Sequence, residues 1–377
     1  MMPLHLNFKK QPYHFFCRPL GKQNGLSLIE LMIASSLGLF LIGGVYQTFQ
    51  ITRQSVRLLQ AESEMQENAR FAFSILSTAL QKAGNFGCKS SKMQTNHSLL
   101  KIPLDQLNPA LFVQGWEAKS SRHGDVYHAQ VNSNISKTTT KHWHDSAGLQ
   151  KDKGIKSKKG SDILKIWFAK PYRASLSAVD SDYFSFTPID LEQGNIIAIN
   201  DCQNIQLAQV CGCEDADCRG LDSKAKLQSC NQVGNLKPLK IDTAEITILD
   251  QSIFFVSKRA SNKKGYKNNI PALYVRHLGR GAKPTPKQEI LEGVESLQVE
   301  YGEDLDASGS ANTYVSADLV KSWKNIVSLR LSLLLRSSSN NVTNKPQSLT
   351  FNGAMIKLDA DDRYLRRVFS TTVALRN

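Results

Sequence analysis

The first residue whose surroundings demand chemistry is a lone carboxylate in an apolar run. Leu26 to Tyr46 reads LSLIELMIASSLGLFLIGGVY, 21 residues with one charge, Glu30, and no proline. As a helix the run is long enough to cross a bilayer once. A carboxylate in hydrocarbon is expensive, so a partner for Glu30 is the default expectation. Gly25 stands just before the run. A cut between Gly25 and Leu26 creates a new ammonium four residues before Glu30, about one helical turn away. Glu30 can then answer a buried ammonium, its own chain's or a neighbour's. The flank before the run carries Lys9, Lys10, Arg18 and Lys22 and no acid, which predicts a cytoplasmic amino end and a bulk on the other side of the membrane. Tyr46-Gln47-Thr48-Phe49 after the run is a poor site for conventional signal cleavage, so the plain alternative is an uncleaved anchor.

The cysteines are the second set. Of seven, Cys17 lies in the basic leader, which leaves Cys88, Cys202, Cys211, Cys213, Cys218 and Cys230. An even number outside the cytoplasm points to disulfides, and six cysteines allow about fifteen pairings, so connectivity stays open. Cys211 and Cys213 are too close in sequence to favour bonding each other, so separate partners are expected. The favoured theme is a stapled loop over 202–230, with Cys88 tying a helix end to a sheet. Zinc at Cys211, Cys213, Cys218 and Cys230 is the rival, although the paired C-x₂-C knuckles are missing. Asp304, Asp306, Ser308 and Asn312, with Gly309, resemble a calcium loop, but Val315 stands where an EF-hand needs a bidentate Glu; a polar turn is the simpler reading. His142, His144 and Asp145, with His123 and His128, form a weaker metal candidate without a paired second cluster. No G-x-S-x-G, phosphate-cradling Gly loop or H-E-x-x-H occurs, so neither an enzyme nor a cofactor is implied.

These groups need elements to position them. No proline occurs between Pro19 and Pro103. Met65, Ala69, Ala72, Leu76 and Leu80 recur at three- and four-residue steps, one apolar helix face. Lys82 then Gly84 reads as a last turn and its cap. The expectation is one helix over 26–83, roughly 85 Å long, with 26–46 in the membrane. Gly38, Gly43 and Gly44 weaken that membrane half by about 1 kcal/mol each relative to Ala, or serve close packing in lipid. Residues 84–160 are loop-rich and basic; Lys137 to Lys159 holds seven Lys and two acids and reads as a solvated loop, with contact to nucleic acid or an acidic surface the sharper alternative. Residues 161–377 are strand-like: SDILKIWFA, NIIAIND, AEITILDQSIFFVS, ALYVRHL, ESLQVEYG, NIVSLRLSLLLRS and SLTFNGAMIKL are short β-branched or aromatic runs between turn residues. A long helix followed by strands predicts α+β with an antiparallel sheet, the helix stripe covering one side of the core. Hydrophobic residues are 41% and charged residues 21% of 377, which excludes a wholly disordered chain, a collagen and a polytopic membrane protein. The net charge of +14 fits an acidic partner surface or a basic segment held on the cytoplasmic side.

GLSLIELMIASS resembles the class III signal of type IV prepilins: Gly, a hydrophobic residue, then Glu as the fifth residue of the mature chain. Leu26 stands where that family most often has Phe or Met. The resemblance implies a leader over 1–25, cleavage after Gly25 by a prepilin peptidase, methylation of the new amino group on Leu26, and pairing of Glu30 with a subunit amine. Further blocks resemble the PilW family of minor pilins: QENARFAFSILSTALQKAGNFGC (Gln66 to Cys88), GSDILKIWF, INDC (Ile199 to Cys202), YGEDLDASGSANTYV, SWKNIVSLRLSLLLRS and the terminal RYLRRVFSTTVALRN. Residues 90–160 and 203–240 take no part. The resemblance implies a non-enzymatic minor pilin of type IV pilus assembly or initiation, anchored by one pass in a bacterial inner membrane with a periplasmic β-rich domain and then carried into the pilus. Its implied partners are the peptidase, other minor pilins, the major pilin and the inner-membrane assembly platform. A minor pseudopilin of type II secretion, or a pilus-borne adhesin or DNA-uptake module, is the alternative.

Overall fold

The structure is a computed structural model that describes residue 25 and residues 27–86, 95–101, 112–119, 121–129, 135–137, 142–144, 155–180, 182–187, 189–214, 218, 223–232, 238–259, 270–279 and 284–375. Leu26, Cys17, Cys88, Asp145 and most of the leader and of the basic stretch 137–159 lie outside the described residues. The chain divides into two compact units, Met1–Ser55 and Val56–Asn377.

The helix Leu28–Lys82 contributes to both units. In the first unit its apolar side chains, Leu28 through Ile51, are exposed. Its most apolar 18-residue window has mean hydropathy 2.0 and no buried residue, and it is the one helix among the described residues long and apolar enough to cross a membrane. Its hydroxyls are satisfied internally, as lipid requires: Ser35 Oγ donates to Leu31 O (2.7 Å), Ser36 Oγ to Met32 O (3.0 Å) and Thr48 Oγ1 to Gly44 O (3.0 Å). In the second unit the helix buries Ala61, Met65, Ala69, Ala72, Leu76 and Leu80, the stripe expected from the periodicity plus one more turn. Gly84 ends it at φ 73° and donates its N–H to Trp167 O (3.1 Å), while Asn85 O accepts the N–H of Ala169 (3.3 Å). A left-handed residue just past a helix is the ordinary glycine cap. Here it also seats the helix end on the strand Ile163–Val179.

The second unit is α+β. Among the described residues one sheet has eleven strands. Its main path runs Thr95–Ser98, Asn204–Gln209, Ile196–Asn200, Glu245–Lys258, Ile163–Val179, Tyr183–Phe186, Ser223–Lys226, Gly212–Cys213. Pro271–His277 and then Gln288–Glu292 branch from Glu245–Lys258, and Val113–Trp116 joins Ile163–Val179. All neighbours are antiparallel except Thr95–Ser98 on Asn204–Gln209. A four-stranded antiparallel sheet follows, in the order Thr313–Ser316, Val294–Glu303, Ile326–Arg336, Arg366–Ala374. The 17-residue strand Ile163–Val179 serves two cores. Leu164, Ile166 and Trp167 pack with the helix stripe and with Leu329, Leu331 and Leu333; Ala174 and Leu176 pack with Phe184, Phe186, Ile197 and Val210. The register against Glu245–Lys258 shifts between Thr247 and Leu249. An irregularity of that kind bends and re-aims a strand.

The basic region before residue 161 is more structured than its composition suggested. Val113–Trp116 is a strand of the large sheet, and Trp143 and Ile155 are buried with Trp116, Phe255 and Tyr274. Lys158, expected on a solvated loop, is only 2% exposed. Its ammonium donates to Tyr127 Oη and to Glu295 O, both at 2.9 Å. Glu295 is the hub of a buried network: Arg366 Nε reaches its Oε2 at 2.8 Å, Arg336 Nη1 its Oε1 at 3.3 Å, and Arg366 Nη1 also bonds Asp362 Oδ1 at 2.6 Å. Burial alone would raise the Glu295 carboxyl, but the charges of Arg366, Lys158 and Arg336 hold it at about 2. Burial pushes Lys158 down to about 8 against the opposing pull of Glu295. The network ties the four-stranded sheet to the segment around Tyr127.

Candidate functional site

The helix start is built by two residues. Leu31 N donates to Ser27 O (3.2 Å), so Ser27 is the N-cap, and Ser27 N donates to Glu30 Oε2 (3.1 Å). That is the carboxylate half of a capping box, a Glu at the third helical position reaching back to the cap's amide. Glu30 is thus engaged one residue away from the amine that cleavage after Gly25 would release. Gly25 itself is exposed, and a Cβ built on it would meet nothing within 4 Å. A Cβ at Gly38, Gly43 or Gly44 would likewise meet nothing within 4 Å, so no contact among the described residues requires their lack of a side chain.

The five described cysteines are disulfide-bonded, and no zinc site is grouped among the described residues. Cys211 bonds Cys230 and Cys213 bonds Cys218, so the neighbours 211 and 213 do take separate partners. Cys202 is disulfide-bonded as well. It sits at φ 68° in a turn that its two predecessors hold. Asn200 Oδ1 accepts the N–H of Cys202 (2.8 Å), and Asp201 Oδ1 accepts those of Gln203 (3.0 Å) and Asn204 (2.7 Å). Asn200 Nδ2 donates to Phe86 O (3.2 Å), which binds this turn to the chain just past the helix. The INDC block therefore has a local job, the presentation of Cys202 beside the helix exit.

The loop Asp304 to Asn312 joins the strands Val294–Glu303 and Thr313–Ser316, and its oxygens are turned inward. Asp304 Oδ2 accepts the N–H of Gly309 (2.9 Å), Asp306 Oδ1 that of Ser308 (3.1 Å), and Asn312 Oδ1 that of Leu305 (2.6 Å). Hydrogen bonds from Ser308 and Asn312 hold the Asp306 carboxyl down to about 2. Among the described residues, no three or more His, Cys, Asp or Glu side chains are grouped to hold a metal ion. A concentration of polar groups that no motif announced gathers around Glu117, where Asp162, Asp318, Arg122 and Tyr301 meet from four distant segments.

Against this geometry stand two similarities to known families. Residues 253–377 match the family described as type IV pilus-assembly protein W. That span holds the whole four-stranded sheet and the Glu295–Arg366–Asp362 network. Residues 20–46 match the prokaryotic N-terminal methylation motif, which covers Gly25, Glu30 and the apolar half of the helix. No curated protein and no solved structure matches the chain. The motif and the single apolar helix support membrane anchoring with pilus association, and the two matched segments point to a structural pilus component that is processed by a prepilin peptidase and interacts with other pilus components. A methylation-motif helix ahead of a sheet matched by the pilus-assembly family supports the likeness of this chain to a PilW-type type IV pilus protein with a class III signal.

Proposed function

We propose that the chain is a minor pilin that helps initiate or build a type IV pilus. The observation that carries this reading is Glu30, the one charge in the apolar run 26–46, five residues past the glycine that ends a basic leader. In this reading the peptidase cuts after Gly25 and the amino group of Leu26 is methylated. Residues 26–46 hold the protein in the inner membrane with the β-rich domain in the periplasm. Glu30 pairs with a subunit amine as the helix enters the fibre. The exposed apolar residues from Leu28 to Ile51 then bury against neighbouring helices. The subunit joins other minor pilins in a priming complex at the fibre tip, on the inner-membrane platform and ahead of the major pilin.

Gly25→Leu tests the first step. A Cβ at Gly25 meets nothing within 4 Å among the described residues, so the variant is expected to fold. The expected result is a full-length precursor that stays in the membrane, with no new amino terminus at Leu26. Amino-terminal sequencing that finds Leu26 in this variant refutes the assignment of the cleavage site.

A further inference from the structure

Three carboxyls, Glu117, Asp162 and Asp318, bear on one another in the second unit with one arginine among them. Glu117 follows the strand Val113–Trp116 and is 2% exposed. The hydrogen bond on its carboxyl comes from Ser121 Oγ at 3.3 Å. Asp162 is equally buried, and each of its oxygens takes a main-chain donor: Ala118 N on Oδ1 and Val299 N on Oδ2, both at 2.9 Å. Asp318 accepts Ser316 Oγ (2.7 Å) and is ion-paired with Arg122. Arg122 is therefore committed, and the cluster is two positive charges short if every acid ionises. The folded chain meets the deficit with a proton. Burial, then the charges of Asp162 and Asp318, push Glu117 up to about 10. Asp162 is also raised by burial, to about 7, but its two main-chain donors favour the anion. The proton therefore rests on Glu117.

A separate observation marks the same place as unfinished. The Tyr301 hydroxyl is fully buried and has no hydrogen-bond partner among the described residues. Buried polar groups are nearly always paired, and an orphan needs a cause. Its ring stands edge-on to Trp323 at 4.9 Å, and the charges of Asp162 and Glu117 bear on its oxygen. The hydroxyl lies so close to Gly115 that a Cβ there would overlap it. Gly115, Glu117, His144, Asp318 and Trp323 line a cleft of about 150 Å³, the volume of about five water molecules. On its other side Glu117 also borders a cleft of about 230 Å³, with Arg122, His123 and Glu300.

We propose that the cleft between Glu117 and Asp318 receives the ammonium or guanidinium end of a basic side chain from a neighbouring protein subunit. The cation supplies the charge that the three carboxyls lack. Its arrival releases the Glu117 proton, so the cation faces the carboxylates of Glu117 and Asp318 instead of a neutral acid, with the Tyr301 hydroxyl behind Gly115 in the cleft wall. A divalent metal is a poorer occupant, since it takes six or more oxygens and the described residues group no three metal ligands here. That the base belongs to a protein subunit rests on the pilus reading above; that the cleft takes a cation does not.

The test uses the full-length chain in detergent at pH 7 and a trilysine peptide, with its fully acetylated form as control. Trp116 and Trp323 line the cleft and report its occupancy by fluorescence. The expected result is a saturable change with trilysine and none with the acetylated peptide. Titration calorimetry in buffers of different ionisation enthalpy should show about one proton released per peptide bound, as displacement of a single carboxyl proton requires. Glu117→Gln keeps the shape of the neutral acid and folds, with a melting temperature at least that of the parent. It should weaken binding about tenfold or more and abolish proton release, in line with loss of a buried charge pair. Glu300→Gln, on the neighbouring cleft, should leave both unchanged. Absence of a saturable signal, equal affinity in Glu117→Gln, binding without proton release, or calcium displacing the peptide would each overturn the proposal. None of these outcomes touches the Gly25 experiment, so the cleft and the pilus reading fail separately.

Discussion

Glu30 caps the helix and, in the proposed reading, also supplies a charge; a single substitution would confound the two, and two substitutions separate them. In the structure its carboxylate accepts the N–H of Ser27 at 3.1 Å and so caps the helix. Loss of a cap costs about 0.5–2 kcal/mol, and at the exposed start of a 55-residue helix that does not unfold the chain. The second role is charge. If Glu30 answers a subunit amine inside the lipid-buried bundle, removal of one partner costs about 3–5 kcal/mol, or about two to four orders of magnitude in the assembly equilibrium. Gln at the third helical position can still accept the cap's N–H but cannot neutralise an amine. Glu30→Gln should therefore fold, insert and be cleaved after Gly25 like the parent, yet be nearly absent from sheared fibres. Glu30→Ala should match it in incorporation. The assay is quantitative immunoblotting of sheared pili against the membrane pool of processed protein. Incorporation of Glu30→Gln within a few-fold of the parent would refute the charge argument and leave the cap as the residue's role.

Two further outcomes follow from the fold. Glu295 has its folded value held at about 2, below the ordinary 4.5, so its ionised form stabilises the fold above pH 4.5 and that contribution disappears as the pH falls from 4.5 toward 2; the full effect is of order 3 kcal/mol. Thermal melts of the parent should fall steeply over that window, while Glu295→Gln should be less stable at pH 7 and nearly flat in acid; an unchanged acid slope would remove Glu295 from the argument. Cys202 is bonded while Cys211, Cys230, Cys213 and Cys218 account for one another, and Asn200 holds Phe86 O two residues before Cys88. Non-reducing peptide mapping of the processed chain should therefore find Cys88 joined to Cys202 and no free thiol; a Cys88 that alkylates without reduction would contradict this.

Much of the helix was legible because its signals are local. A 3.6-residue period exposes the stripe from Met65 to Leu80, and a glycine after Lys82 marks the stop, since both depend only on neighbours along one cylinder. The alternation of Val327, Leu329, Leu331 and Leu333 with Ser328, Arg330 and Ser332 is as local a signal: the three leucines are buried and Arg330 is exposed, although Ser328 is buried and Val327 only half-buried. Leu334 breaks the pattern, and the structure shows why: a second small core of Tyr127, Phe351 and Ile356 covers the other face of the strand there. The composition of the basic region misled for a related reason. Lys158 counts as a solvated charge until Glu295, 137 residues away, is placed under it.

What the amino-acid order determined by itself is the apolar span with its one acid, the glycine just before it, the stripe and cap of the helix, and the order of helix before strands. Each is a property of residues close together in the chain. Tertiary structure alone decided the branching of the eleven-stranded sheet, which cysteines pair, the Glu295–Arg366–Asp362 network and the meeting of Glu117 with Asp162 and Asp318. Those depend on strand register and on which segments lie side by side. A shift of one residue in a strand turns every side chain to the opposite face, so contacts of this kind have no signature along the chain and exist only once the sheets are assembled.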